Sequence, residues 1–372
     1  MFLARKALAR LPLIAILSLA ACGPVSKLPQ VDAKAAAIEA EKQRELILEA
    51  KFAQHGRVQT IAHALLERNA DLCQADTVHS IGTILANKLS FGDDYEETLA
   101  RVYRFGEGAN VFALADRSPA AEAGLEVGDA LVSVNGWPVP TGKEAPKRVT
   151  AKIAELANDD PNLRFVVDTP AGRRQATVRA ERVCAYKVRV LQRDDVNALA
   201  DGNNIAVTSG MIRFADSDVE LATVVGHEMA HNLMDHIDKQ MGNAMIGLLL
   251  DILLAGVGVN TQGVFSDLAT LVYSKEFEAE ADYVGLYLMA RAGYPVEDAP
   301  RFWRRMAIVH PGSVKSGLAA SHPPTPERFV AMEKTVAEIG AKQVAAVPLM
   351  PNSEIPESLA ERPKAPSPFG AQ

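Results

Sequence analysis

The chain has 372 residues, a length that suggests two domains, and its hydrophobic content of 48% is ordinary for a globular protein. Its formal charge is -7. Taking away residues 1–21 as a leader, with the three positive charges of Arg5, Lys6 and Arg10, brings it to -10. Such an acidic balance argues against a nucleic-acid partner, which would select a basic face.

From the N-terminus, the positive start runs into the apolar stretch 11–21, which is too short for a bilayer span of roughly 20 residues. A charged start, a short apolar core and small residues before a break describe a secretory signal. Leu19-Ala20-Ala21-Cys22 resembles a bacterial lipobox, in which the cysteine is lipidated and becomes the first mature residue. The alternative is an ordinary cut near Ala21. The lipobox implies a lipid anchor at Cys22 in the cell envelope, on the periplasmic face. Gly23 stands where an aspartate would mark inner-membrane retention, so an outer-membrane address is favoured.

Residues 22–99 are expected to be a tether and N-terminal helices, part of which packs on the later catalytic region. Residues 32–54 are rich in Ala, Glu and Lys, and 57–68 carry Val58, Ile61, Ala62 and Leu65 on one stripe. His55, His63 and His79 lie here without ligand-like company and read as structural or solvated.

Between 100 and 183 the pattern turns to short strands and turns. Gly124 and Gly128 supply turns, 131–134 reads as a strand, and Asn135-Gly136 is a strong hairpin signal. A short amphipathic helix is expected over 144–157, and a strand pair over 165–169 and 175–180. The run from Ser118-Pro119-Ala120 through Ala123-Gly124-Leu125 and Gly128-Asp129 to Val134-Asn135-Gly136 resembles a PDZ domain of the bacterial protease type. The resemblance implies capture of extended peptides by strand addition, with the peptide-carboxylate loop just before Ala109–Ala113. Tyr103-Arg104-Phe105-Gly106 matches that loop poorly, so a PDZ-like unit that only positions the protease is the alternative.

Cys73 and Cys184 sit near the two ends of this module. In an oxidising compartment they are expected to pair; two unrelated buried thiols are the alternative.

His227-Glu228-Met229-Ala230-His231 fits HExxH. A spacing of four puts both histidines on one helical face, where they can share a zinc ion. Glu228 can then take a proton from a water that zinc acidifies as it attacks a carbonyl. Leu221, Val224, Val225 and Leu233 give the helix, expected over 218–235, an apolar face. A catalytic zinc needs a third protein ligand. Glu276, Glu278, Glu280 and Asp282 follow on another helical stretch, 274–291, and spacing does not choose among them. His236 and His310 read as structural.

Glu278-Ala279-Glu280-Ala281-Asp282 with Gly285 resembles the signature of the HtpX-like and CAAX-protease-type zinc metallopeptidases, a gluzincin family. That resemblance, which covers about 57–70 and 185–335, implies one zinc per chain on His227, His231 and Glu278, with Asp282 supporting a ligating histidine. Val196-Asn197-Ala198 and the strand 205–208 resemble the family's edge of a small sheet over the cleft, and Asn197 is a cleft or turn candidate. Ser321-His322-Pro323 with Arg328 resembles its His-Pro loop. His322 is then a group near zinc, either a switch or a transition-state donor, and Arg328 either stabilises an oxyanion or pairs with Asp282.

The expected fold is α+β: a mainly helical metallopeptidase domain with a small sheet over 184–340, a β-rich PDZ-like domain over 100–183, and a Pro-rich disordered tail over 341–372. Residues 240–259 are apolar and Gly-rich, and 240–273 are expected either to cover the cleft or to touch the membrane. The expected activity is internal peptide-bond hydrolysis in unfolded or misassembled envelope proteins. The alternatives are a latched homologue acting as a chaperone or scaffold, and a peptide-binding module led by the PDZ-like unit.

Overall fold

A computed structural model of the chain describes residues 29–236, 275–309, 322 and 324–355. Cys22, the segment 240–273 and His310 lie outside the described residues. Residues up to Lys42 form a unit of their own; its described part is the start of helix α1 (Ala33–Arg68). The second unit, from Gln43 on, holds everything below. No helix among the described residues is long and apolar enough to cross a membrane.

Helix α1 runs unbroken through both stretches expected to be helical. Its apolar stripe serves two cores. Phe52 packs edge-on against Phe105 and Phe112 of the β-rich part, while Val58, Ile61, Leu65 and Leu66, at helical spacing, are buried in the larger core.

The β-rich part is an antiparallel six-stranded sheet of β2 (Thr83–Ala86), β3 (Ala109–Leu114), β4 (Ala130–Val134), β5 (Trp137–Pro138), β6 (Asn162–Thr169) and β7 (Gly172–Arg179). Leu163, Phe165 and Val167 alternate inward along β6. Helix α4 (Ala145–Asp159) covers them with Val149, Ile153 and Ala157. Asn135 and Gly136 both take positive φ, 47° and 80°, and carry β4 back to pair with β5, as the primed hairpin turn requires.

The sheet extends beyond the expected boundary. The sheet begins at Thr83, ahead of the boundary at 100, because β2 is separated from its partner β3 by helix α2 (Asp93–Val102) and is too short to show alternation in the sequence. Strand β3 pairs with β2 along its length and with β4 at Ala109 and Asn110. The open edge on that side of the sheet belongs to β2.

Strand β1 (Thr77–Ser80) pairs with β8 (Glu181–Cys184), so the two ends of the inserted part run side by side. At its base Cys73 and Cys184 form a disulfide with Cα atoms 5.6 Å apart.

The second core gathers a three-stranded sheet, order β10-β11-β9, of β9 (Lys187–Leu191), β10 (Ala198–Ala200) and β11 (Asn204–Thr208). Around it lie α5 (Ser209–Phe214), α6 (Asp218–Leu233), α7 (Lys275–Arg291), α8 (Ala299–Val309) and α9 (Pro326–Val344). All five residues of β11 are buried. The chain after α9 is not a loose tail through residue 355. Leu349 and Ile355 pack on the core, Lys342 Nζ donates to the Met350 carbonyl at 2.7 Å, and the Asn352 amide donates to Tyr283 Oη at 3.0 Å. A side-chain donor on α9 and a side-chain acceptor on α7 thus fix a segment whose prolines suggested disorder.

Candidate metal centre

Helix α6 starts where Ser217 Oγ accepts the Glu220 amide, and Glu220 Oε2 in turn accepts the Asp216 amide at 2.8 Å; this reciprocal cap fixes the first turn. From Glu220 to Leu233 every residue is buried, so the helix runs through the core rather than over it. Asn232 ties its far end to the sheet, donating to the Asn204 carbonyl at 3.2 Å and accepting from the Gly202 amide at 2.7 Å.

Helix α7 crosses α6 at two glycines. A Cβ on Gly285 would lie 3.1 Å from the backbone of Gly226 and of His227. A side chain at either position would push the two backbones apart by a few tenths of an ångström. Their close approach brings Glu278 opposite His231, and Asp282 opposite His227.

The result is a cluster of ligand atoms. His227 Nε2 is 3.1 Å from His231 Nε2, and His231 Nε2 is 3.3 Å from Glu278 Oε1. His322 Nδ1 is 2.7 Å from Glu278 Oε1 and 3.2 Å from His227 Nε2. One ligand atom from each of the four side chains lies within 4.8 Å of the others, and all four residues are buried. His227 turns its other nitrogen, Nδ1, to Asp282 Oδ1 at 3.0 Å. Its proton therefore sits on Nδ1, and the lone pair on Nε2 points into the cluster. Buried ring nitrogens and a carboxylate that converge within 4.8 Å of one another can hold a cation, and imidazoles with a carboxylate are the donor set that suits zinc.

Glu228 lies beside this cluster. It is wholly buried, and both carboxylate oxygens lack a hydrogen-bond partner among the described residues. Burial raises its pKa, a push opposed by His322 and His227. His322 Nε2 is 3.6 Å from its Oε1. Burial alone would raise Glu278 too, but His322, His231 and His227 outweigh it and hold the group well below the usual carboxylate range. Burial drives His231 well below an ordinary histidine, which keeps it neutral, as a metal ligand must be.

Arg328 Nε and Nη2 bind Asp282 at 2.7 and 2.9 Å, Nη1 is 2.9 Å from Glu278 Oε2, and Nη1 also donates to the His322 carbonyl at 3.2 Å. Of the two roles considered for Arg328, pairing with Asp282 is the one this geometry provides. The Trp303 ring lies 5.1 Å from the His227 ring, and the Arg328 guanidinium lies 5.6 Å above it.

His236, which reads as structural in the sequence, and Glu280, which spacing leaves open, lie beside the site. A helix continued past His231 would carry His236 away from the ligand face. Instead α6 ends at Leu233, and Asp235 takes a left-handed φ of 62°. The reversal sets His236 Nδ1 3.0 Å from His231 Nδ1, and Glu280 Oε2 2.8 Å from His236 Nε2. The positive φ of a non-glycine residue has no sequence signature here. Glu276 is exposed. Asn197 holds a turn, its carbonyl accepting from Thr208 Oγ1 at 2.9 Å. His79 bonds Asn158, and His55 packs on Phe112.

Residues 157–336 match the model of peptidase family M48. The mitochondrial metalloendopeptidase OMA1 of Arabidopsis thaliana is 32% identical over 144 residues, covering 37% of this chain and 29% of the relative. The beta-barrel assembly-enhancing protease of Yersinia pestis is 27% identical over 163 residues, covering 40% of this chain and 33% of the relative. The chain thus spans about a third of the length of these curated relatives. A crystal structure of the HtrA3 PDZ domain bound to a phage-derived ligand aligns at 19% identity and a TM-score of 0.23, covering 29% of this chain and 89% of that one.

Proposed function

We propose that the peptidase family M48 domain of this chain, residues 157–336, makes it a zinc-dependent endopeptidase that hydrolyses internal peptide bonds. The observation that carries this reading is the buried cluster of His227, His231, Glu278 and His322 with a wholly buried carboxylate, Glu228, at its side. A zinc ion held there by His227, His231 and Glu278 supplies a Lewis acid that polarises the scissile carbonyl and acidifies water.

The remaining steps belong to the chain. Glu228 is the general base: it takes the proton of the attacking water and passes it to the leaving amine. Its raised pKa suits a base that must also return the proton. Asp282 orients His227, and Arg328 orients Asp282. A group beside the metal at no structural need of its own separates this site from a purely structural zinc, which is closed by protein ligands.

His322 stands where a fourth ligand would be. In the working enzyme it vacates that place for substrate, and so acts as a latch. The substrates in this reading are unfolded or misassembled envelope proteins, reached from a lipid anchor at Cys22 on the periplasmic face of the outer membrane. Support for that setting comes from the lipobox-like Leu19–Cys22 and from the likeness to beta-barrel assembly-enhancing proteases. The rival reading, a latched scaffold without turnover, is favoured by the 2.7 Å contact of His322 with Glu278.

Zinc content and casein cleavage of the purified protein, wild type beside Glu228→Gln, test the proposal. Both should bind one zinc, and the variant should lose about 10²–10⁴-fold in rate. A wild type that binds zinc and never cleaves, even as His322→Ala, would sink the peptidase reading in favour of the scaffold.

A further inference from the structure

We propose that His236 and Glu280 form a positioning pair for His231, fixing the tautomer in which His231 offers Nε2 to the metal. This rests on the metal-site reading above and goes beyond it, to residues outside the ligand set.

His231 Nε2 faces the cluster, 3.1 Å from His227 Nε2 and 3.3 Å from Glu278 Oε1. A histidine that ligates through Nε2 while neutral carries its proton on Nδ1. That proton meets His236 Nδ1 at a heavy-atom distance of 3.0 Å. Two N–H groups cannot face each other there, so His236 Nδ1 must be the acceptor. The proton of neutral His236 then sits on Nε2, 2.8 Å from Glu280 Oε2. A carboxylate is an acceptor only, so Glu280 selects this tautomer of His236, and His236 selects the matching tautomer of His231.

The rest of the surroundings fit a fixed ring. His236 is wholly buried and stacks on Phe277, ring centroids 4.6 Å apart. Glu280 keeps about a third of its side chain exposed (35%), so the carboxylate is solvated while the ring it holds is not. The two histidine ligands are thus supported differently. His227 meets a buried carboxylate, Asp282, directly; His231 reaches its carboxylate through a second imidazole.

The test is zinc affinity of the full chain, measured by competition with a chromophoric chelator, in wild type, His236→Gln, His236→Leu and Glu280→Leu. Loss of the acceptor in His236→Leu should weaken zinc about 10–100-fold. His236→Gln, whose amide oxygen can accept from His231 and whose amide hydrogen can reach Glu280, should restore most of it. Glu280→Leu, at a partly exposed position, should weaken zinc in the same direction without disturbing the core. Equal affinity in wild type and His236→Leu would overturn the proposal, as would equal losses in the Leu and Gln variants, which would mean packing alone. ¹⁵N spectra of histidine-labelled, zinc-loaded protein give a second reading: His236 should appear as the Nε2–H tautomer, and Nδ1–H would overturn it. These readouts do not use cleavage. A wild type that binds zinc without hydrolysing peptide defeats the peptidase reading alone, whereas a wild type that binds no zinc defeats both.

Discussion

Arg328 grips Asp282 through two contacts, Nε to Oδ2 at 2.7 Å and Nη2 to Oδ1 at 2.9 Å, with both side chains buried. The same Asp282 holds His227 Nδ1 at 3.0 Å. Burial would raise the Asp282 pKa, but Arg328 outweighs it and keeps the carboxylate charged. Removing the arginine leaves a buried carboxylate without its counter-charge. Arg328→Ala is therefore expected to cost about 3–5 kcal/mol of stability and about 10–100-fold in zinc affinity. Denaturant unfolding and chelator competition measure the two effects. Arg328→Lys should recover only part, since an ammonium cannot make the paired contact. A variant with unchanged zinc affinity would show that Asp282 orients His227 unaided.

The crossing of α6 and α7 sets a second expectation. A methyl on Gly285 would sit 3.1 Å from the backbone of Gly226 and His227. Backbone yields less readily than a side-chain tip, so the helices must move apart. Gly285→Ala should cost about 1–3 kcal/mol and loosen Glu278 and Asp282 from the histidines. Thermal unfolding with and without added zinc separates the two: a smaller zinc-induced rise in Tm than in wild type is expected. An unchanged rise would mean that the crossing does not set the ligand geometry.

The site was legible because its chemistry is local in sequence. His227, Glu228 and His231 lie within one turn and a half of α6, and helical spacing alone puts the two histidines on one face. The choice of Glu278 over Glu276 was not legible from spacing; it came from a resemblance, and its physical cause is the Gly226–Gly285 approach that aligns α7. His236 was missed because its place depends on a left-handed residue, Asp235, where periodicity predicts continued helix. Strand β2 was missed because four residues show no alternation, and its partner lies beyond an intervening helix. The docked segment around Leu349 was missed because proline content marks a chain as unsuited to helix or strand, without excluding hydrogen bonds to the side chains of Tyr283 and Lys342.

His63, on α1, supplies a pH dependence away from the metal. It is buried beside Glu181, with Nε2 3.6 Å from Oε2, and burial lowers its pKa from 6.5 to about 4. The folded state thus holds fewer protons than the unfolded state between these values, so stability rises with pH. The contribution is present above pH 6.5 and is lost as pH falls toward 4. Its size is ~3 kcal/mol as an upper bound, from the shift and about 1.4 kcal/mol per unit. Urea unfolding at pH 7.5, 6 and 5 should show the decline, and His63→Gln, which cannot titrate, should flatten it. A decline of the same steepness in the variant would assign it to other groups, His55 among them, whose pKa is also lowered to about 4 by burial and by Lys51.

In the proposed reading, His322 separates a working enzyme from a latched one. Its Nδ1 meets both Glu278 and His227, and burial, which would lower its pKa, is outweighed by Glu278 and Glu228, which raise it. Four protein ligands close a tetrahedral zinc and leave no place for a substrate carbonyl. If His322 is the fourth, its removal opens that place at the cost of one ligand. His322→Ala is expected to keep one zinc per chain, to bind it more weakly, and to cleave casein faster than wild type. The increase should vanish in the His322→Ala, Glu228→Gln double variant, since the base is then missing whatever the state of the latch. A single variant that cleaves more slowly than wild type while keeping its zinc would place His322 among the groups that assist the reaction, with its side chain turned to the developing charge rather than to the metal.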